Sequence, residues 1–280
     1  MPKVISISDD QLPKNLRTII DRKTTEYSNP VSRNETAKIP STDGIPGPES
    51  DNWLRIDGPI CVYVDMAGST QLSATVHPNS TARIYRYYVG TAIKLFDELG
   101  ASYIDVSGDG VFAMFNKDQP HTALSAAVTF KTFFSEVFKK KVGDSTSAKI
   151  NLGNHIGIDQ RTILVKRIGL RRLNGRNDKQ NEVWAGKTVN MAAKLASLRN
   201  DNKVVVSDRF YNNLTHEGAL KSCGCDGSGN VSGEKSSLWT SIDLAEDSNF
   251  DFDIGYELNT NGWCKVHGSE TINNLLSEDS

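Results

Sequence analysis

The run Ile60-Cys61-Val62-Tyr63-Val64 is apolar without a break and rich in β-branched residues, which predicts a short buried strand. It stops at Asp65-Met66-Ala67-Gly68-Ser69-Thr70, where small and polar residues take over. From Asn79 to Leu99 the period changes: Ile84, Tyr88, Ala92 and Phe96 recur at helical spacing, and Gly100 follows as a helix-ending residue. Ser102–Ser107 and Val111–Phe115, joined through Gly108-Asp109-Gly110, predict a hairpin. His121–Lys141 predicts a second long helix, with Ala127, Phe130, Phe134, Val137 and Phe138 inward and lysines at the C-terminal end, where they suit the helix dipole. Strands over Lys149–Ile158 and Thr162–Ile168 follow, then a polar loop from Leu170 to Glu182. A helix over Thr188–Leu198, a strand over Lys203–Val206 and a short helix over Asp208–Leu214 complete the pattern. The order β-α-β-β-α-β-β-α-β predicts an α+β fold of ferredoxin-like type, a mostly antiparallel sheet covered by helices on one face.

The flanks read differently. Asp10–Lys23 carries Leu12, Leu16 and Ile19–Ile20 at helical spacing, one short amphipathic helix. Ser28–Asp51 is rich in Pro, Gly, Ser and Thr and reads as a linker or surface-draped arm. The tail from Asp247 is acidic at both ends but holds Trp263, Cys264 and His267, so part of it is expected to fold back. The expected organisation is therefore a helix and linker over 1–55, one α/β domain over 56–245 and a C-terminal extension over 246–280.

Composition narrows the classes. Hydrophobic residues make up 38% of the 280 and charged ones 24%, enough for a core and against global disorder. Thirty-two Lys+Arg against 34 Asp+Glu leave a formal charge of −2, which argues against coating nucleic acid or membrane by bulk electrostatics. No apolar run is long enough to span a bilayer, and the first residues have no apolar signal segment. Four cysteines are too few for a disulfide scaffold, so the expected compartment is the reducing cytoplasm.

Candidate chemistry begins with two aspartates. Asp65 ends an apolar strand, and Asp109 sits at a hairpin tip between glycines that let a ligand approach the backbone. If the strand pairs beside the hairpin, both carboxylates reach one edge of the sheet, a hard-oxygen site suited to Mg²⁺. Two such ions, about 3.5–4 Å apart, activate an attacking hydroxyl and neutralise a leaving phosphate. The backbone N–H groups of Met66–Thr70, leading into a helix, suit a phosphate. Taken singly, an Asp at a strand end and a Gly-Asp-Gly hairpin are also ordinary turn chemistry; it is the pair, with a helix between, that points to a site.

Four segments then carry a family resemblance. Val62–Thr70 resembles the first metal motif of class III nucleotidyl cyclases, and Ser107-Gly108-Asp109-Gly110-Val111-Phe112-Ala113-Met114-Phe115 the second. Asn154-His155-Ile156-Gly157-Ile158 is similar to the strand that follows, and Val183–Leu195 to the segment that stabilises the transition state. The four stand in the family's order over roughly residues 58–242. The resemblance implies attack of a ribose 3′-hydroxyl on the α-phosphate, giving a 3′,5′-cyclic nucleotide and pyrophosphate, in a catalytic domain over 56–245. It also implies that Asp65 and Asp109 bind two Mg²⁺ or Mn²⁺ ions, Met66 adding its carbonyl, and that Asn190 orients the ribose. Lys194 stands where the family usually has Arg for the α-phosphate; it keeps the charge but not the bidentate fork, so Arg161 or an arginine of Leu170–Arg176 is an alternative. Lys235 is the expected triphosphate lysine. With one such domain per chain, a head-to-tail homodimer with two sites is implied.

The positions that read purines in this family fall on Asp105 and Val183, which match neither the adenine nor the guanine pair. Trp184-Ala185-Gly186-Lys187 and the Cys-x-Cys segment resemble the bacterial Pycsar pyrimidine cyclases. That resemblance implies a product, cyclic CMP or cyclic UMP, used in antiphage defence and read by a separate cyclic-nucleotide-responsive effector. Trp184 suits a pocket shortened to one ring. A carboxylate at Asp105 accepts from the cytosine N4 amino group and repels the uracil O4, which favours CTP over UTP; a solvent-facing Asp105 is the alternative. A catalytically inactive nucleotide-sensing module is the reading from another class, and the intact Asp65, Asp109 and Asn190 weigh against it.

Cys223, Cys225, Cys264 and His267 either form a structural Zn²⁺ site of Cys₃His type or are loose thiols. Cys61 reads as a small core residue, His121 and His155 as a helix-start and a strand residue without a nucleophile beside them, and Lys139–Lys141 as a solvated helix end.

Overall fold

The computed structural model describes residues 11–145, 151–170, 180–198, 202–226, 230 and 233–280. In chain order the elements are α1 (Lys14–Tyr27), β1 (Ser32–Thr36), β2 (Asn52–Ile56), β3 (Ile60–Ala67), α2 (Ser69–Thr75), α3 (Pro78–Glu98), β4 (Tyr103–Ser107) and β5 (Gly110–Phe115). There follow α4 (Pro120–Phe133), which continues through a wide π-turn at Phe134–Phe138 into α5 (Lys139–Ser145), then β6 (Gly153–Gln160), β7 (Ile163–Gly169) and β8 (Gln180–Ala185). The last are α6 (Lys187–Ser197), β9 (Val204–Ser207), α7 (Asp208–Tyr211), α8 (Glu217–Leu220), β10 (Trp239–Asp243), β11 (Ile254–Leu258) and α9 (Gly268–Glu278).

Seven strands form the main sheet in the order β10-β11-β9-β6-β3-β5-β4, antiparallel except for the β6–β9 pair. β3 is central because it is apolar on both faces, Ile60, Cys61, Val62 and Val64 all being fully buried. One face carries Ile60, Val62, Val64 and Met66, covered by Ile84, Tyr88, Ala92 and Phe96 of α3 and by Phe130 of α4. These four α3 residues are the ones the helical period selected, and burying each contributes on the order of 1.5–3 kcal/mol for the large side chains. The thiol of Cys61 lies on the other face, in the core, as its sequence setting suggested.

That second face departs from the expectation of a sheet with one bare side. A four-stranded sheet, β1-β2-β7-β8, packs Leu54, Ile56, Ile163 and Val165 against Cys61 and Met114. α6 lies beside it across β3 and β6, so close that a Cβ built on Gly157 would stand 1.9 Å from the Ala192 carbonyl oxygen.

Three further expectations change. The Ser28–Asp51 segment is not a free linker: β1 pairs parallel with β2, and Ile39 and Ile45 are buried in the second core. The polar loop to Glu182 ends sooner, because Gln180–Ala185 is a strand paired antiparallel to β7; the stretch 171–176 lies outside the described residues. The N-terminal helix forms, but buries none of its residues, with Ile19 59% exposed. The tail does fold back, through β11 and α9. No helix among the described residues is long and apolar enough to cross a membrane.

Candidate active site

β3 and β5 pair with Val64 opposite Val111, which puts Asp65 beside the β4–β5 turn that carries Asp109. Ser107 pairs with Gly110 across this two-residue turn, and Gly108 has φ +67°, the left-handed value a tight hairpin needs at its first turn position. Gly110 is required for a different reason: a Cβ there would lie 2.7 Å from the Tyr63 hydroxyl and 3.3 Å from Asp65 Oδ1. The turn thus lays Asp109 against Asp65 and Tyr63.

The electrostatics follow from that crowding. Burial raises the Asp65 carboxyl above its ordinary range and the charge of Asp109 raises it further, while His155 across the strand pair and the Met66 N–H oppose the shift. Tyr63 is pushed up to about 12 by burial, with Asp65 and Asp109 adding to it. Oδ2 of Asp109 is buried with no hydrogen-bond partner. A buried carboxylate oxygen without a donor is costly. A cation between the two acids would satisfy it and reverse their repulsion, so these residues fit the divalent ions expected at Asp65 and Asp109. The Met66 side chain is in the core, so only its main-chain carbonyl is available as a ligand.

Asn190, exposed, and Lys194, half-buried, lie one turn apart on α6, away from the sheet-facing Thr188, Met191, Ala192 and Leu195. Asn190 donates to the Gly186 carbonyl at 3.3 Å and Lys194 to the Asn249 carbonyl at 2.7 Å. Arg161 pairs with Asp251, which also binds Lys187 and Arg209, each at 3.1 Å. Burial alone would raise Asp251, but hydrogen bonds from Arg209 and Lys187 outweigh it and hold the carboxyl down at about 2.

Of the base-reading candidates, Asp105 and Trp184 come together around a residue the sequence did not single out, Tyr103. Tyr103 and Asp105 share one face of β4, and the Trp184 ring lies 4.7 Å from that of Tyr103, centroid to centroid. Trp184 Nε1 is buried, and the indole N–H approaches the Tyr103 hydroxyl. Asp105 Oδ1 accepts from the Val106 N–H at 2.7 Å, so part of its acceptor capacity is used locally. Val183 points from the opposite face of β8 and is 38% exposed; its place beside Trp184 is taken by Glu182, whose carboxylate approaches Tyr103. A period-2 count backwards from Trp184 and from Asp105 is the signal that finds Glu182 and Tyr103.

Lys235 is not brought to the carboxylates. It pairs with Glu217 at 2.6 Å, near His216, which packs on His121 beyond the Phe115 end of β5, whereas Asp109 sits at the Gly110 end. A cleft of about 900 Å³ opens there, bordered by Glu217, Lys235, Trp263 and the Cys/His residues of the tail. His121 is no catalytic base either: its Nδ1 meets Asp279 Oδ1 at 2.7 Å, and its Nε2 accepts the Thr215 and His216 N–H groups. Cys223, Cys225, Cys264 and His267 do converge, with one donor atom of each within 4.8 Å of the others.

The β-α-β-β sheet with helices over it is the fold of a class III nucleotide cyclase domain. Residues 56–240 match the adenylate and guanylate cyclase catalytic domain, and the chain belongs to that family. It is 34% identical to a uridylate cyclase of Propioniciclava tarda over 248 residues, covering 86% of this chain and 77% of the relative. It is 30% identical to a uridylate cyclase of Micromonospora echinofusca, over 79% of this chain and 70% of that one. Among solved structures, the adenylyl cyclase CyaB of P. aeruginosa shares the fold at TM-score 0.54 and 17% identity, over 73% of this chain and 94% of that chain. The guanylyl cyclase Cya2 does so at TM-score 0.54 and 16% identity, over 73% and 92%.

Proposed function

We propose that this protein is a pyrimidine nucleotide cyclase that converts UTP to 3′,5′-cyclic UMP and pyrophosphate. The observation that carries cyclase chemistry is the buried, unpartnered Asp109 oxygen laid against a raised Asp65, a pair that suits a divalent cation. Divalent ions held there by Asp65, Asp109 and the Met66 carbonyl supply charge neutralisation and an acidified 3′-hydroxyl. Asn190 orients the ribose, and Lys194 supplies a cation to the α-phosphate as a point charge rather than a fork. With Asn190 and Lys194 on α6 and the carboxylates at the hairpin, each chain carries two half-sites. A head-to-tail homodimer joins them into two complete ones.

The base assignment turns on Trp184. Its indole N–H is a donor beside the Tyr103 hydroxyl, and uracil offers the O4 acceptor where cytosine offers an amino donor. The names of the relatives from Propioniciclava and Micromonospora support the same base. A second reading, CTP, keeps one observation in its favour, the half-buried Asp105 carboxylate; its hydrogen bond to the Val106 N–H weakens that argument. Following the Pycsar resemblance, the product acts as a cytoplasmic second messenger in antiphage defence through a separate effector.

The test is to incubate the purified protein with all four nucleoside triphosphates and Mn²⁺ and identify the products by mass. Cyclic UMP in excess is expected. Cyclic CMP in excess transfers the assignment to CTP, and no cyclic product from any of the four overturns the reading.

A further inference from the structure

α9 buries little to hold itself in place. Of its 11 residues only Gly268 and Leu275 are fully buried. Burying one leucine stabilises by about 1.5–3 kcal/mol, whereas ordering each residue costs on the order of 1–2 kcal/mol. Its C-terminal end is tied down by Asp279, which binds His121 and the Thr122 N–H. Its N-terminal end follows Cys264 and His267, and these face Cys223 and Cys225 in the loop between α8 and β10.

The four donors lie within 4.8 Å of one another, and two of their spacings are close to those of a filled tetrahedron. With a Zn–S bond of about 2.3 Å, two thiolates on one zinc stand about 3.8 Å apart, and a thiolate and an imidazole nitrogen about 3.6 Å. Here Cys225 Sγ and Cys264 Sγ are 3.9 Å apart, and Cys264 Sγ and His267 Nδ1 are 3.8 Å apart. A disulfide would need about 2.05 Å. The loop that carries the first two ligands is braced as a ribbon, Ser222 N–H donating to Ser236 O at 2.8 Å and Gly233 N–H to Gly224 O at 3.0 Å. The second pair is braced by the Gly268 N–H on the Cys264 carbonyl at 2.8 Å and by Trp263, whose N–H and indole N–H bind Thr132 and Thr129 of α4.

We propose that Cys223, Cys225, Cys264 and His267 bind one Zn²⁺, and that this ion fastens the C-terminal tail to the cyclase domain. Four protein ligands leave no open position, so the ion is structural. It locks one end of α9 as the His121–Asp279 pair locks the other.

The experiment uses the full chain, freshly purified without chelator. Elemental analysis should find about one zinc per chain, and mass mapping should show Cys223, Cys225 and Cys264 protected from alkylation until a strong chelator is added. Replacing the metal by Co²⁺ should give the intense visible absorption of a tetrahedral thiolate complex. Cys264→Ser and His267→Ala should lose zinc and unfold at a lower temperature. Zinc-free wild-type protein with all three thiols open to alkylation overturns the proposal, as does a Cys225–Cys264 disulfide seen by mass. So does full zinc occupancy in both variants. The wild-type measurements stand even if a variant fails to fold, and none depends on turnover, so a negative result leaves the nucleotide assignment standing.

Discussion

Asp65 and Asp109 sit on a strand paired on both sides and the tight turn beside it, and offer two hard-oxygen side chains with coordination positions to spare. Cys223, Cys225, Cys264 and His267 sit on a loop and a helix start near the C-terminus, and offer a complete soft set. The first arrangement is open and strained by like charges; the second closes on itself. Open sites on rigid elements suit chemistry and closed ones on loops suit fastening. Ligand count and the element beneath the ligands therefore separate two roles that residue type alone would blur.

The largest effect tests the open site. Asp65→Ala and Asp109→Ala should each lower turnover at least about 10³-fold. Neither should lower the thermal midpoint, because each removes one of two crowded buried charges. A midpoint that falls as it does in Cys264→Ser would erase the contrast between the clusters. If the open site is finished by a second chain, co-expressing Asp65→Ala with Asn190→Ala should recover about a quarter of the wild-type rate, since half the dimers then hold one intact site. No recovery would place both halves in one chain.

A smaller effect concerns the base. Trp184→Phe keeps a ring against Tyr103 and deletes the N–H, so the UTP-over-CTP ratio of kcat/KM should drop about tenfold, or about 1.4 kcal/mol. An unchanged ratio would separate Trp184 from base selection.

The smallest effect lies outside both clusters, at Asp251, which binds Arg161, Lys187 and Arg209. Its carboxyl, near 2 in the folded protein against an ordinary 3.8, stabilises the fold above about pH 4 and loses that contribution as the pH falls towards 2. Thermal midpoints of wild type and Asp251→Asn should differ at neutral pH and converge in that acid window.

What the sequence made legible was whatever buries side chains in a regular period. The four inward residues of α3 and the run at Ile60–Val64 are such cases, and so is the Asp65–Asp109 pair, because one acid ends an apolar run and the other sits between glycines at a hairpin tip. What it hid was held by main-chain pairing or by distant ties. β1 reads Ser-Arg-Asn-Glu-Thr and is almost wholly exposed, so only its ladder to β2 makes it a strand. β8 alternates exposed and half-buried residues, and only its register with β7 turns Trp184 inward. Lys235 was chosen for its place near the last strand, and that does not say which end of β5 it reaches.

The two glycines flanking Asp109 differ in what they would allow. Position 108 is governed by handedness, so a mirror-image amino acid suits its dihedral where an ordinary one is strained; position 110 is governed by room, and a substituent of either chirality has to contend with the tyrosine hydroxyl wherever it points that way. Semisynthesis could therefore stiffen this acid-bearing corner at one atom without repacking its neighbour, a stereochemical handle that genetic substitution does not offer.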